Sequence, residues 1–532
     1  MNNESIKGKF SVGYDRQCVT PEIGTWLGGY GNGKDRPSIG KMWEDDDLWI
    51  SAVCMTDTED NSIIAMTIDL CRMPLGGYRE LRELINKETG IPIQNVMIAS
   101  THSHSTPEYI DGEPAMAKFR IQFLEQGLAA AKNALADRAP AEAYMGIRKV
   151  EALNFVRRYM KEGKFIGTNH SGGDAHETPA DNDLQMLKFT REGKKDIVIV
   201  NWGAHPDHSK EIGGASGTPE FHRGCSADYI YPLRKTVEAN ADCHFAFYQG
   251  AAGNLNPISL IKEECYRIHG RMEKDNVPRV IAYGRELADE VLALYNSPLT
   301  KIELGKANGA ESKILANRPK GPEKGSHEYN MYYAVAVVTW ANRTLNEPTP
   351  ESKQAADWLV EKFELGDSEN IEKLVADEQN PLHTHAVCVK VLREGGKVPG
   401  TNESTRNCAI HMAKMFGFKS GPYAANQILT RTANMEKPPF DMPLYAVSCG
   451  DIAFVGTPGE SFDTNGMEVK EGSPFKMTFF CEHCGGAWGY FPSKLAWGNG
   501  GYEVESTSEA EGTAEQMTEE LINMLNGMKA KQ

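Results

Sequence analysis

Through the first 300 residues, apolar runs of strand length alternate with stretches whose apolar residues recur every three or four positions. A strand repeats its face every second residue and a helix about every 3.6, so this alternation predicts an α/β protein with a mixed sheet. The expected strands are Leu48 to Thr56, Ser62 to Asp69, Asn95 to Ser100, Asp196 to Trp202 and His244 to Gln249. The expected helices are Gly77 to Thr89, Lys118 to Arg138, Asp228 to Asn240 and Arg279 to Asn296. From about Glu328 to Met415 the pattern turns helical and charge-rich, broken at Pro348, Pro350 and Pro381. A last α/β stretch brings strands at Leu444 to Val455 and Phe475 to Cys481 and a closing helix at Ala514 to Gly527. The expected organisation is one α/β domain over residues 1–300 and 440–532, interrupted by a largely helical insertion over 301–439.

Composition narrows the function classes. A chain of 532 residues with 40% hydrophobic content can bury a large core. Its net charge of -16 and lack of Lys/Arg clusters exclude the electrostatic footprint of a nucleic-acid binder. The opening MNNESIKGKFSVGYD has no apolar run, and no stretch approaches the roughly 20 apolar residues of a membrane span, so a cytoplasmic protein is expected. Eleven scattered cysteines suit a reducing compartment. Cys481 and Cys484 form one CxxC with no second pair at zinc-finger spacing, and read as incidental thiols.

Three expected strands run into residues suited to metal binding. NVMIAS leads to Thr-His102-Ser-His104, IVIVNW to Gly-Ala-His205-Pro-Asp-His208, and IAFVG to Thr-Pro-Gly-Glu460. Ligand sites of open α/β sheets lie beyond the carboxyl ends of strands, where these segments can build a mixed His/carboxylate zinc site. His102 and His104 share a face if extended, one as ligand and the other as hydrogen-bond donor or proton carrier. Spacing leaves His205 and His208 both open. A second HxH, His383-Thr-His385, has no strand before it and is not expected to be a site.

Several blocks, in order, resemble the catalytic domain of the neutral/alkaline ceramidase family. TPEIGTWLGGYGN is similar to the family's N-terminal block, THSHSTP to its Thr-His-Thr-His-Ser-Gly-Pro, and NWGAHP to its Asn-Trp-Phe-Ala-Val-His-Pro. SADYIYPLRK, QGAAGNLNP, TPGE and GYFPSKLAWGNGGYEVEST follow on later family blocks. The resemblance implies a ceramidase-like fold and a zinc held by His102, His205, Glu460 and Tyr490. It implies substrate or transition-state contacts from His104, Arg157 and Tyr502, with Arg158 beside Arg157 open for the same role. Two departures stand out: Asn256 occupies the place of the family's serine, and, with few residues after the Tyr502 block, the family's C-terminal immunoglobulin-like domain is not expected.

The resulting expectation is a zinc-dependent amidohydrolase that cleaves the C–N bond of a small acyl amide by metal-activated water. Asn256 would orient water or substrate, since an amide is no nucleophile. A zinc esterase or lactonase remains open, as does a ceramidase-like binding protein without catalysis, and iron or manganese at the same ligands.

Overall fold

The computed structural model describes residues 7–30, 33–169, 172–208, 223–258, 279–339, 347–395 and 424–532. Its first sheet contains β1 (Ser11–Cys18), β2 (Trp49–Thr56), β3 (Ser62–Ile68), β4 (Val96–Ser100), β5 (Ala139–Lys149), β6 (Asp183–Arg191), β7 (Lys194–Trp202) and β8 (Cys243–Gln249). The spatial order is β8-β7-β6-β5-β1-β2-β3-β4, and the short strand Thr300–Ile302 also pairs with β5. Neighbours run antiparallel except β3 with β4 and β7 with β8, which are parallel. β2 and β3 are buried on both faces, which is why WISAVCMT and SIIAMTI are nearly continuous apolar runs.

The junction of β1 with β5 pairs only Ser11 with Pro140 and Val12 with Ala139. Beyond it, β8 packs against strands of the β1–β4 half. There the Tyr14 hydroxyl donates to Phe245 O at 3.1 Å and the Thr67 hydroxyl to Phe247 O at 2.7 Å. Helix α1 (Leu75–Thr89) follows β3, α2 (Ala117–Ala136) packs on β1 and β2, and α3 (Ile230–Asn240) packs on α4 (Arg279–Tyr295).

A second sheet has the order β9-β10-β11-β12, with β9 (Ala307–Ala316), β10 (Phe440–Cys449), β11 (Ile452–Gly456) and β12 (Met477–Cys481). The expected single strand Leu444 to Val455 is instead the hairpin β10–β11. It turns at Gly450, which sits at φ 59° in the left-handed region that glycine tolerates. Apolar residues on both arms hide that turn in the sequence. Between β9 and β10 lie α5 (His327–Thr339), α6 (Pro350–Lys362), α7 (Ser368–Ala376), α8 (His383–Glu394) and α9 (Ala424–Asn434). These helices share a separate core that includes Trp358, Leu359, Ile371, Val389 and Leu392. His383 and His385 lie on α8, and His385 packs against Phe363 at 3.9 Å between ring centroids.

A buried ion pair pins the end of β3. Arg234 of α3 grips Asp69 through Nη2 at 3.0 and 2.9 Å, and Asp69 also accepts the Trp49 N–H at 3.0 Å. Asp46 lies close by, its carboxyl pushed up to about 8 by burial. Removing one partner strands a buried charge, so Arg234→Met should lower unfolding stability by about 3–5 kcal/mol in urea titration. An unchanged midpoint would show that the pair does not hold α3 to β3.

Candidate metal centre

Three parallel strand pairs aim their carboxyl ends at one point: β3 with β4, β7 with β8, and β11 with β12. The segment after β3 carries Cys71 and Arg72, and that after β4 carries His102 and His104. His205 follows β7, Ala252 to Asn256 follow β8, Glu460 follows β11, and Glu482 and His483 follow β12. Backbone hydrogen bonds sew these ends together. Thr101 N–H donates to Ile68 O at 2.9 Å, His102 N–H to Leu70 O at 2.9 Å and His205 N–H to Leu255 O at 3.1 Å. Gly253 N–H donates to Ser461 O at 2.8 Å and Glu482 N–H to Gln249 O at 3.1 Å.

His102 Nδ1 lies 2.8 Å from Cys71 O, and His205 Nδ1 lies 2.8 Å from Ala252 O. A carbonyl only accepts, so both Nδ1 atoms carry hydrogen and both Nε2 atoms turn lone pairs inward. The two Nε2 atoms are 3.2 Å apart, and Glu460 Oε2 lies 3.5 Å from His102 Nε2 and 3.2 Å from His205 Nε2. Ligands at the corners of a tetrahedron around zinc stand about 3.3–3.4 Å apart for bonds of roughly 2.0–2.1 Å. The three atoms match that spacing. Glu460 Oε2 is buried without a hydrogen-bond partner among the described residues, an orphan that a cation would satisfy. His102 also holds φ at 65°, a strained backbone for a non-glycine residue, and of the kind found at functional sites. The residues present therefore fit a divalent metal.

Without a cation, protons redistribute within the cluster. Burial disfavours the His102 imidazolium, yet Glu460 and Cys71 overcome it and hold the pKa well above 6.5. Burial likewise opposes ionisation of Glu460, but His102 and His205 hold its carboxyl well below the usual range. His205 is lowered, by burial first and then by Arg157.

His104 joins the group with its Nε2 at 3.1 Å from His102 Nε2. Tyr30 packs edge-on against its ring at 5.0 Å and donates to Asp207 O at 2.6 Å. A Cβ on Gly29 would meet His104 atoms at 2.5 Å, and Gly29 has φ 95°, so only glycine lets this loop close over the imidazole. Arg36 staples the loop, donating to Gly28 O at 2.6 Å and His104 O at 3.3 Å.

Tyr490 pairs with Glu460 in a short parallel bridge, and its ring lies 5.6 Å from that of Tyr502. The Arg157 guanidinium lies over both rings, at 5.5 and 5.9 Å. It donates to Glu503 at 2.8 Å, to Gly253 O at 2.9 Å and to Asn256 Oδ1 at 3.4 Å, while Asn256 Nδ2 donates to Asn169 at 2.9 Å. Arg158, left open beside Arg157, turns away to Glu177, Glu503 and Gly500 O. His208 sits apart from the cluster, buried 3.6 Å from Asp228 and 5.2 Å from the Tyr283 ring.

Sequence reasoning missed Glu482 and His483, although they occupy the CxxC that it noticed. The His483 ring stacks on His102 at 4.2 Å, and both its nitrogens are buried without partners among the described residues. Glu482 accepts the Ala252 N–H at 2.9 Å, on the residue whose carbonyl orients His205. Burial pushes its carboxyl well above the usual range. The signal was available: like the three segments that were noticed, Glu-His follows directly on a buried strand.

The fold resembles that of solved ceramidases. A neutral ceramidase from Pseudomonas aeruginosa superposes with a TM-score of 0.62 at 13% identity, covering 98% of this chain and 75% of that one. A ceramidase complexed with C2 gives 0.63 at 14% identity, covering 98% and 76%. At such identities the likeness is one of fold, and it agrees with the mixed α/β class expected from the sequence. No family model and no curated protein matches the sequence.

The protein should carry one zinc per chain, lost in His102→Ala and His205→Ala, as elemental analysis would show. The pH dependence follows from the same groups. In metal-free protein the raised His102 contributes stability that is complete below about 6.5 and fades as pH rises through its folded value. The depressed Glu460 contributes stability present above about 4.3 and lost as pH falls through its folded value. Zinc needs His102 Nε2 deprotonated, so its affinity should climb with pH. Melting curves should show chelated protein weakening toward alkaline pH and zinc restoring it. Identical curves with and without zinc would remove the cation from the cluster.

Proposed function

We propose that this protein is a zinc-dependent amidohydrolase acting on small acyl amides. The observation that carries the reading is the inward convergence of His102 Nε2, His205 Nε2 and Glu460 Oε2 within 3.2 to 3.5 Å of one another. His102, His205, Glu460 and Tyr490 would hold the metal. A zinc bound by such a set supplies Lewis acidity and lowers the pKa of water.

Hydrolysis forms a bond from water oxygen to the acyl carbon and breaks C–N, the amine leaving with a proton and the acid as carboxylate. His104 suits the proton's carrier. Burial, then the neighbouring His102 and His205, hold its pKa well below 6.5, so it rests neutral, with its Nε2 3.1 Å from His102 Nε2. Tyr502, 36% exposed beside Tyr490, offers a phenol donor from the open side of the cluster. Arg157 adds positive charge where an oxyanion would develop. Asn256 is clamped by Arg157 and Asn169, and holds that guanidinium in place. It provides no nucleophile, so attack is assigned to water rather than to Asn256. The fold shared with ceramidases supports the C–N bond as target, and it leaves the amine and acyl halves open.

A panel of N-acyl amides offered to the zinc-loaded protein tests the reading. Turnover should disappear on chelation and return with zinc. Tyr502→Phe, if it removes an oxyanion donor, should lower kcat by about 100-fold or more with little change in fold stability. A panel untouched by protein with stoichiometric zinc would overturn the assignment.

A further inference from the structure

A pocket of about 300 Å³ borders the metal cluster, lined by Gly28, Cys71, Arg72, Glu108, Asp111 and Ala487 among others. It meets the cluster at Cys71, whose carbonyl orients His102. Its size lies at the lower end of the roughly 300–1,000 Å³ typical of small-molecule sites, and several of its walls are charged. Such a space suits a compact polar ligand better than a long hydrocarbon chain.

The charged groups around it differ in what already engages them. Asp111 is committed to the first turn of α1, accepting the Gly76 and Gly77 N–H groups at 2.9 and 3.1 Å. Arg157 and Arg158 are buried and tied to Glu503, Glu177 and backbone carbonyls. Arg72 is different: its side chain is 40% exposed, and among the described residues its one hydrogen bond is Nη2 to Glu108 at 3.3 Å. Arg72 itself lines the pocket.

The geometry points to Arg72 as a specificity-determining residue that grips a carboxylate, making the substrates compact acyl amides with a free carboxyl group, the class of N-acyl amino acids. This inference rests on the amidohydrolase reading for the bond cleaved. A planar guanidinium matches a carboxylate with two parallel hydrogen bonds, which a lysine cannot reproduce. The protein's net charge of -16 gives anions no general attraction, so the contact has to be local.

Zinc-loaded protein is offered N-acetylalanine and N-acetylalaninamide, with release of alanine or alaninamide as the readout. Wild type should favour the carboxylate, and Arg72→Ala should lower that preference roughly 10- to 100-fold, mainly through KM, with Arg72→Lys in between. Calorimetric titration with levulinate, a keto acid without a scissile amide, should give binding that levulinamide lacks and Arg72→Ala loses. Melting curves check that the variants fold. Equal cleavage of both amides, indifferent to Arg72→Ala, overturns the anchor and leaves the hydrolase standing. Absence of cleavage with Arg72-dependent levulinate binding supports the anchor and removes the hydrolase. Levulinate binding undiminished in Arg72→Ala overturns the anchor directly.

Discussion

Two imidazole Nε2 atoms face each other at 3.2 Å in a buried pocket, each ring having given its Nδ1 hydrogen to a backbone carbonyl. Lone pair against lone pair, with a carboxylate oxygen alongside, is unfavourable unless positive charge lies between them. A proton on His102 meets the requirement in part, and the raised pKa of that residue is the sign of it. A divalent ion meets it fully, satisfying Glu460 Oε2 as well. The surrounding architecture keeps the rings from rotating away: Cys71 O and Ala252 O fix their planes, His483 stacks behind His102, and Glu482 holds the Ala252 peptide.

The fold makes this possible by bringing parallel strand pairs from both sheets to one point. A parallel pair ends with both chains leaving in the same direction, so three pairs deliver six segments to a single locality. Each candidate ligand is thereby attached to a buried strand. Asp69 at the end of β3 is anchored by Arg234, and from there only Leu70 intervenes before Cys71. The strain at His102 is held in place because residues on both sides are committed to such contacts.

Strands β2, β3, β4, β7 and β8 were legible because burial on both faces leaves an unbroken apolar run, and the polar residues after them stood out. β1, β5 and β9 were not, since partly exposed positions and charged residues interrupt their apolar runs without a regular period. The polar ends His102, His205 and Glu460 were readable as candidates, but their meeting depends on register between strands hundreds of residues apart. Arg157 and Arg158 were indistinguishable in sequence. Glu503, 346 positions from Arg157, receives both, and only Arg158 is also taken by Glu177. Arg72 carried no signal at all: its significance lies in a half-exposed side chain with a single hydrogen bond among the described residues, to Glu108, which no sequence pattern displays.

The helical segment also reaches this centre. Arg431 of α9, its pKa lowered to about 10 by burial, donates to Thr507 O at 3.0 Å. The Thr507 hydroxyl in turn donates to Tyr490 O at 2.7 Å. Tyr490 is therefore held twice, by its bridge to Glu460 and by Thr507, and the second hold leads back to a helix with a separate core. A shift of α9 would act on Tyr490 and on Tyr502, which lies only five residues before Thr507. The histidines and Glu460 sit at the ends of sheet strands, whereas the two tyrosines also adjoin a segment bonded to the helical core. The part of the site most open to adjustment by the helical segment is thus its phenolic rim rather than its imidazole and carboxylate core.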